Sequence, residues 1–246
     1  MWKLKKRMGT LLMLSAVMFS GCNSDNQEEN KQEKTSQEMP SEQVTIPQDA
    51  KLIGSSENGE VELYAEANGV KLDFNGKVKD FDWTFYDDIQ TKPQVFYTDV
   101  TGDGNEEAVI IIKTGNGTGL DTDEIHVVNK DLTEIKVQGY EDIVANNIES
   151  NVVKNDNGTL GITVKVQGKE HNFDYEFDPA PDLQQDQLAF GGIIIYFLEN
   201  QKIKLNLVGS VGVSPTYVAD FNITYKFDST KNEFIVDQIE FKPVKN

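Results

Sequence analysis

Residues 61–74 read VELYAEANGVKLDF, and this stretch decides the fold class of the chain. Apolar and polar residues alternate on both sides of Asn68-Gly69, which is typical of strands that bury one face. An Asn-Gly pair is a strong signal for a tight turn, because both residues tolerate the positive φ that such turns need. The stretch therefore predicts an antiparallel β-hairpin.

Further strands are expected along the rest of the chain. The predicted strands are Ala108–Lys113, Ile125–Val128, Asn151–Lys154, Leu160–Val166, His171–Phe177, Gly192–Leu198, Lys202–Val208, Tyr217–Phe227 and Glu233–Phe241. Turn-forming residues separate them, and only Glu141–Glu149 has apolar residues at helical spacing. We therefore expect residues 48–246 to form an all-β, mostly antiparallel domain, either a sandwich or a few propeller-blade-like sheets.

The N-terminus has the organisation of a secretory signal peptide. Four basic residues between positions 3 and 7 precede an apolar run that ends at Phe19, and this run is shorter than the roughly 20 residues that span a bilayer. Phe19-Ser20-Gly21-Cys22 resembles a bacterial lipobox. The resemblance implies that residues 1–21 are removed and that Cys22, the only cysteine, carries lipid such as palmitate. We therefore expect a lipoprotein on the extracytoplasmic face of the cell membrane.

Residues 22–47 follow the predicted lipid anchor and are rich in Gln, Glu, Asn, Ser and Lys. Almost no bulky apolar residue occurs before Val44, so the segment cannot bury enough surface to offset the entropy of ordering. We expect a disordered tether between the lipidated cysteine and the β domain.

The chain is strongly acidic, with 41 Asp and Glu against 23 Lys and Arg and a net charge of −18. Such a surface repels the phosphate backbone, so nucleic acid is excluded as a partner. The same charge attracts metal cations and basic partners.

One segment has the residue types and the spacing of a metal loop. Residues 99–107 read DVTGDGNEE, with side-chain oxygens at alternate positions and Gly104 for a sharp turn. Calcium takes 6–8 oxygen ligands, and EF-hand loops use this alternation. An EF-hand needs Glu at position twelve, where this chain has Ile110 in a predicted strand. An Asx turn, in which the carboxylates only cap backbone N–H groups, remains the alternative.

Residues 95–132 resemble the calcium-loop unit of FG-GAP and VCBS repeats, the blade units of integrin-like propellers. In those repeats an acidic loop precedes an apolar strand, a Gly-rich turn and a second strand. The stretch is also similar to the single such unit in secreted Firmicute lipoproteins of unknown function. The resemblance implies a structural Ca²⁺ held by Asp99, Thr101, Asp103, Asn105 through its backbone carbonyl, and Glu107. The chain contains one copy of the motif.

Several other signals leave alternatives open. Thr114–Gly119 predicts a flexible hairpin loop. Asp121, Asp123 and Glu124 are expected to face solvent, with a position near the calcium loop as the alternative, and the ring of His126 is expected to point out of the sheet. The aromatic residues between Phe81 and Tyr97 are expected in the core, with a sugar-binding face as the alternative. These residues are Phe81, Trp83, Phe85, Tyr86, Phe96 and Tyr97.

The function that these features favour is a lipid-anchored calcium-binding domain that serves as a binding or envelope-interaction module rather than an enzyme. The chain has no Gly-x-Ser-x-Gly elbow and no His-Glu-x-x-His motif. A carboxylate-dependent hydrolase of the cell envelope that acts on glycans is the alternative, because 41 acidic residues supply many pairs. An inert structural or adhesion component is a third class. The protein or glycan partner is not identified by the sequence.

Overall fold

The structure is a computed structural model that describes residues 45–86, 91–176 and 184–245. The predicted signal peptide, Cys22 and the predicted tether up to residue 44 lie outside the described residues. Within the described ranges, no helix combines the length and apolar character needed to cross a bilayer.

The described residues form fifteen strands and one short helix. The strands are β1 Lys51–Ser55, β2 Val61–Glu66, β3 Gly69–Phe74, β4 Lys77–Phe81, β5 Gln94–Thr98, β6 Glu107–Gly117, β7 Leu120–Val128, β8 Glu134–Val137, β9 Ile148–Lys154, β10 Leu160–Val166, β11 Lys169–Tyr175, β12 Ile193–Glu199, β13 Lys202–Val211, β14 Thr216–Asp228 and β15 Glu233–Pro243. The helix α1 spans Tyr140–Asn147, between β8 and β9.

The strands form three sheets. Strands β1 to β4 make an antiparallel four-stranded sheet in chain order, and β11-β10-β9 make a three-stranded sheet. The third sheet has the order β12-β13-β14-β15-β8-β7-β6-β5. The sheets differ in size and do not repeat as propeller blades. Of the two architectures expected from the sequence, the structure therefore agrees with the sandwich.

Strand β6 is shared by two hydrophobic cores. Its residues Ala108, Ile110 and Ile112 pack with the four-stranded sheet. The alternate residues Val109 and Ile111 pack into a second core with strands β9 to β15. The two faces follow from the period of two along a strand. Because both faces of β6 are buried, its residues 108–112 are all apolar.

The large sheet closes on itself around β7. The start of β7 pairs in parallel with β12, at Asp121 and Thr122. The end of β7 pairs with β8, at Val127 and Val128, and β8 pairs in parallel with β15. Between these pairings, positions 123–126 of β7 have no strand partner on that edge among the described residues. This gap is called the seam below.

The predicted hairpin of residues 61–74 is confirmed, with Ala65 opposite Val70. The helix ends two residues before the predicted Glu149, because Ile148 and Glu149 begin β9. The predicted flexible loop at Thr114–Gly119 is mostly strand. Residues 114–117 extend β6 beyond a bulge after Lys113, and only the tip turns. Strands β1, β4, β5 and β8 were not predicted.

Candidate functional site

The predicted metal loop connects β5 to the central strand β6. It begins directly after Thr98, the last residue of β5, and its last residue, Glu107, is the first residue of β6. Gly102 and Gly104 have φ of 79° and 86°, a region in which only glycine is free of strain. The two glycines therefore let the chain turn sharply inside the loop.

The loop is held by hydrogen bonds from its own backbone to its carboxylates. The N–H groups of Gly102 and Gly104 donate to Asp99 at 2.6 and 2.9 Å. The Val100 N–H donates to Glu107 Oε2 at 3.1 Å. The carboxylates of Asp99 and Glu107, at the two ends of the loop, thus accept the hydrogen bonds that hold its backbone.

The other predicted ligands lie on the same turn. The Asn105 N–H donates to Asp103 Oδ1 at 2.8 Å, and the Asn105 side-chain amide donates to the same oxygen at 3.1 Å. These bonds hold the pKa of Asp103 below its ordinary value. The Thr101 hydroxyl lies 3.5 Å from Asp99 Oδ1. All five predicted residues therefore share one turn.

Glu107 is the electrostatically unusual member of the loop. It is only 3% exposed, and burial, together with the like charges of Asp103 and Asp99, raises its pKa above the ordinary value. In the described part of the chain it forms no ion pair. Lys130, the cation beside the loop, contacts Asn105 and Glu106 at 3.4 and 3.3 Å. A buried carboxylate near two others is a location that a cation would stabilise.

The carboxylates of the loop act as caps in this structure, which is the Asx-turn arrangement. Across the described residues, no group of three or more His, Cys, Asp or Glu side chains is arranged around a common metal position. An ionised carboxylate has about four acceptor sites, and Glu107 uses only two of them, on Val100 and Thr101. The donor set, three carboxylates and a hydroxyl, is composed of the hard oxygen ligands that Ca²⁺ takes.

A cleft of about 540 Å³ opens at the seam of the large sheet. Its walls come from β7, from the start of α1 and from β12, and it contains Asp123, Glu124 and Glu141. The rest of the lining is mixed: it includes apolar side chains, the rings of Tyr140, Tyr196 and His126, and the hydroxyl groups of Thr114 and Thr122. The cleft extends along β7 from Leu120, near the tip of the β6–β7 hairpin, to His126, which pairs with Ile110, whereas the metal loop enters β6 at Glu107.

Asp123 is fixed at the base of the cleft. Its carboxylate lies 2.7 Å from the Lys113 ammonium and accepts a hydrogen bond from the Tyr196 N–H at 3.1 Å, which ties β7 to β12. Burial raises the pKa of Asp123 although Lys113 opposes the shift. Burial also lowers the pKa of Lys113, but Asp121 and Asp123 outweigh this effect and the net shift is upward. The expectation that Asp123 faces solvent is wrong.

His126 is also covered rather than exposed. Its ring stacks on Trp83, with ring centroids 4.1 Å apart and planes 11° apart, and its Nδ1 lies 2.8 Å from Glu134 Oε1. Burial lowers the pKa of His126, but Glu124 and Glu134 raise it by more. Trp83, which comes from a segment more than forty residues earlier, covers the ring of His126 on the face of the sheet.

The aromatic residues of residues 81–97 are mostly core, as expected. Phe81 and Trp83 are buried, and Phe85 and Tyr97 pack against the same core. Phe96 packs against the other core, and Tyr86 alone is exposed. The large exposed hydrophobic residues of the described ranges lie in different loops and strands, at Leu52, Tyr86, Leu120, Val153 and Val213.

Comparison of the chain with protein-family models, with curated proteins and with solved structures finds no significant match.

Proposed function

We propose that this protein is a lipid-anchored, extracytoplasmic calcium-binding β domain that acts as a binding or envelope-interaction module. The anchor rests on the signal-peptide pattern and on Cys22. The calcium site rests on the loop that joins β5 to β6. The role of the metal is structural, because the loop leads into the strand that both cores share.

The buried carboxylate of Glu107 is the observation that carries the proposal. Its charge is destabilising in the metal-free protein, since burial and two like charges raise its pKa. A divalent cation held by Asp99, Thr101, Asp103, the Asn105 carbonyl and Glu107 would neutralise three carboxylates at once. The resemblance of residues 95–132 to calcium-loop units supports the same donor set, and β6, a glycine-rich turn and β7 follow the loop in the order found in those units.

Thermal unfolding of the purified protein tests the calcium site. With a dissociation constant of about 10⁻⁴ M, typical of extracellular modules, 1 mM Ca²⁺ adds about 1.4 kcal/mol of stability. For a chain of this size we expect the Tm to rise by about 3–6 °C relative to chelator. Equal Mg²⁺ should give no comparable shift, because Mg²⁺ demands a smaller octahedral site. A Tm that is unchanged up to 10 mM Ca²⁺ would overturn the proposal.

Substitution of one ligand assigns the shift to this loop. Asp103→Ala should abolish the calcium-dependent rise in Tm and leave a folded β domain, because the lost contacts are local. Asp156→Ala is the matched control, since Asp156 is an exposed acidic residue in a different turn. If Asp103→Ala responds to calcium as strongly as Asp156→Ala does, the ligand assignment is wrong.

One observation favours the alternative function, an envelope hydrolase that acts on glycans. The cleft holds three carboxylates, and burial raises the pKa of one of them, Asp123; a raised pKa in a cleft is typical of a general acid. This alternative predicts that the protein releases new reducing ends from a cell-wall polysaccharide, and that Asp123→Asn lowers the rate by 100-fold or more, as about 10²–10⁴ is expected for loss of acid–base catalysis. Release by Asp123→Asn at the wild-type rate would reject Asp123 as the general acid.

A further inference from the structure

His126 lies where the large sheet meets the four-stranded sheet. Its ring stacks on Trp83, with centroids 4.1 Å apart, and Trp83 in turn stacks on Phe81, the last residue of β4. Next to His126, β7 pairs with β8 through only two residue pairs, which begin at Val127. A contact made by the His126 side chain therefore bears on both the short β7–β8 junction and the packing between the two sheets.

Two carboxylates face the two nitrogens of the His126 ring. Glu134 of β8 lies 2.8 Å from Nδ1, and Glu124, two residues earlier on the same face of β7, lies 3.8 Å from Nε2. The Nε2 atom is buried and has no hydrogen-bond partner in the described part of the chain. A neutral imidazole has one N–H donor, whereas the imidazolium has two. A neutral ring that donates to Glu134 therefore leaves Nε2 as a bare acceptor that faces a carboxylate, and the charged ring does not.

The other elements around the ring are β6 and β4. Strand β6 places the buried, apolar Ile110 opposite His126, and β4 contributes Lys79, whose charge acts on Glu134. Burial lowers the pKa of His126, but Glu124 and Glu134 raise it by more, so the net shift is upward. His126 in return lowers the pKa of Glu134. Each partner thus favours the charged form of the other.

We propose that His126 is a pH-sensitive latch: while its ring is charged it holds β7 to β8 and to Trp83, and loss of its proton weakens both contacts. The charged ring attracts a carboxylate on each side and adds a cation–π contact to the stack on Trp83. The neutral ring can donate to only one of the two carboxylates. None of these residues is a proposed ligand of the metal loop, so the latch is tested in chelator.

Titration of the His126 ring by nuclear magnetic resonance, on the purified, untagged protein, measures the proton directly. The chain has two histidines, so His171→Gln leaves only the ring signals of His126. We expect the midpoint of the folded protein to lie above the ordinary value of 6.5. In Glu134→Gln the midpoint should fall, because one carboxylate fewer opposes the effect of burial. A wild-type midpoint at or below 6.5, or an unchanged midpoint in Glu134→Gln, would reject the latch.

Urea unfolding shows whether the same proton stabilises the fold. A histidine whose pKa is higher in the folded than in the unfolded state contributes stability that is fully present below its unfolded pKa and is lost as pH rises through its folded pKa. Between pH 5.5 and pH 9, wild type should therefore lose stability relative to His126→Gln. The expected loss is about tenfold in the folding equilibrium constant for each unit by which the measured midpoint exceeds the unfolded value.

His171→Gln is the matched control for the unfolding experiment. It removes the other histidine, whose ring centroid lies 4.8 Å from that of Phe241, and it leaves His126 and both of its carboxylates in place. This variant should keep the pH dependence of wild type. If His126→Gln and His171→Gln have the same pH dependence of stability, His126 is not the group responsible and the latch is wrong.

The emission of Trp83 reports whether the proton reaches the contact between the sheets. The chain has two tryptophans, so Trp83 is the only one in Trp2→Phe. Because the indole stacks on His126, its emission should change with the midpoint found for the His126 ring, and this change should be absent when His126→Gln is added. Constant emission of Trp83 through that midpoint would contradict the proposal.

Discussion

Lys113→Met is expected to lower the free energy of unfolding by about 3–5 kcal/mol, the cost of leaving one partner of a buried ion pair alone. The Asp123 side chain is only 3% exposed, and Lys113 is the cation that contacts it, at 2.7 Å. Asp123 also accepts a hydrogen bond from the Tyr196 N–H. Loss of Lys113 therefore weakens the contact between β7 and β12. Urea unfolding at pH 8, followed by far-ultraviolet circular dichroism, measures the change.

The loss should depend on pH in a defined direction. The pKa of Asp123 is already raised by burial, and removal of Lys113 raises it further. A carboxyl group with a raised pKa in the folded state binds more protons folded than unfolded, so stability is retained below its unfolded pKa and lost as pH rises through its folded pKa. The difference between Lys113→Met and wild type should therefore be smaller near pH 4.5 than at pH 8.

Two further variants make this result specific to the buried pair. Lys165→Met removes an exposed ion pair with Glu149 and should change stability by less than about 1 kcal/mol. Adding Asp123→Asn to Lys113→Met should recover most of the loss, because Asn still accepts from the Tyr196 N–H and no charge is left buried. Equal destabilisation by Lys113→Met and Lys165→Met would show that the pair near the cleft contributes no more than a surface contact.

The positions of the strands could be predicted largely from local pattern, but not all of them. Strands β2, β3 and β9 to β15 combine alternation with clear turns, and each was predicted. Strand β4, Lys77-Val-Lys-Asp-Phe81, is mostly polar because it lies at an edge of its sheet and only Phe81 is buried. Strand β8 has four residues, of which only Ile135 is buried. Such short, polar strands carry too little alternation to be recognised.

The cleft could not be predicted from the sequence, because the partners of its charged side chains lie on other strands. Asp123 is within a run of acidic residues that resembles a solvated strand. Its burial depends on the register that brings it opposite Lys113 and on the return of β12 seventy residues later. His126 is covered in the same way by Trp83. By contrast, the five loop residues occupy alternate positions within nine residues of sequence, so one local turn suffices to bring them together.

Trp83→Ala is expected to lower the free energy of unfolding by about 3–5 kcal/mol, the usual cost of truncating a buried large aromatic residue. Trp83 is 4% exposed. It stacks on Phe81 of the four-stranded sheet, with ring centroids 4.3 Å apart, and on His126 of β7, at 4.1 Å. The indole therefore joins two sheets, and its removal leaves a cavity between them. Urea unfolding followed by circular dichroism is the measurement, since the substitution also removes a fluorophore.

Two variants separate this role from that of a ligand-binding aromatic residue. Trp83→Phe keeps a ring between Phe81 and His126 and should lose clearly less stability than Trp83→Ala. Tyr86→Ala changes an aromatic side chain that is 47% exposed and should stay within about 0.5 kcal/mol of wild type. If Trp83→Ala loses no more free energy of unfolding than Tyr86→Ala, the indole does not stabilise the core. The alternative expected from the sequence, a sugar-binding face, then becomes the better explanation of these aromatic residues. A large loss on Trp83→Ala with a small one on Tyr86→Ala assigns the aromatic cluster to packing, because only a ring enclosed on both faces loses its contacts on truncation.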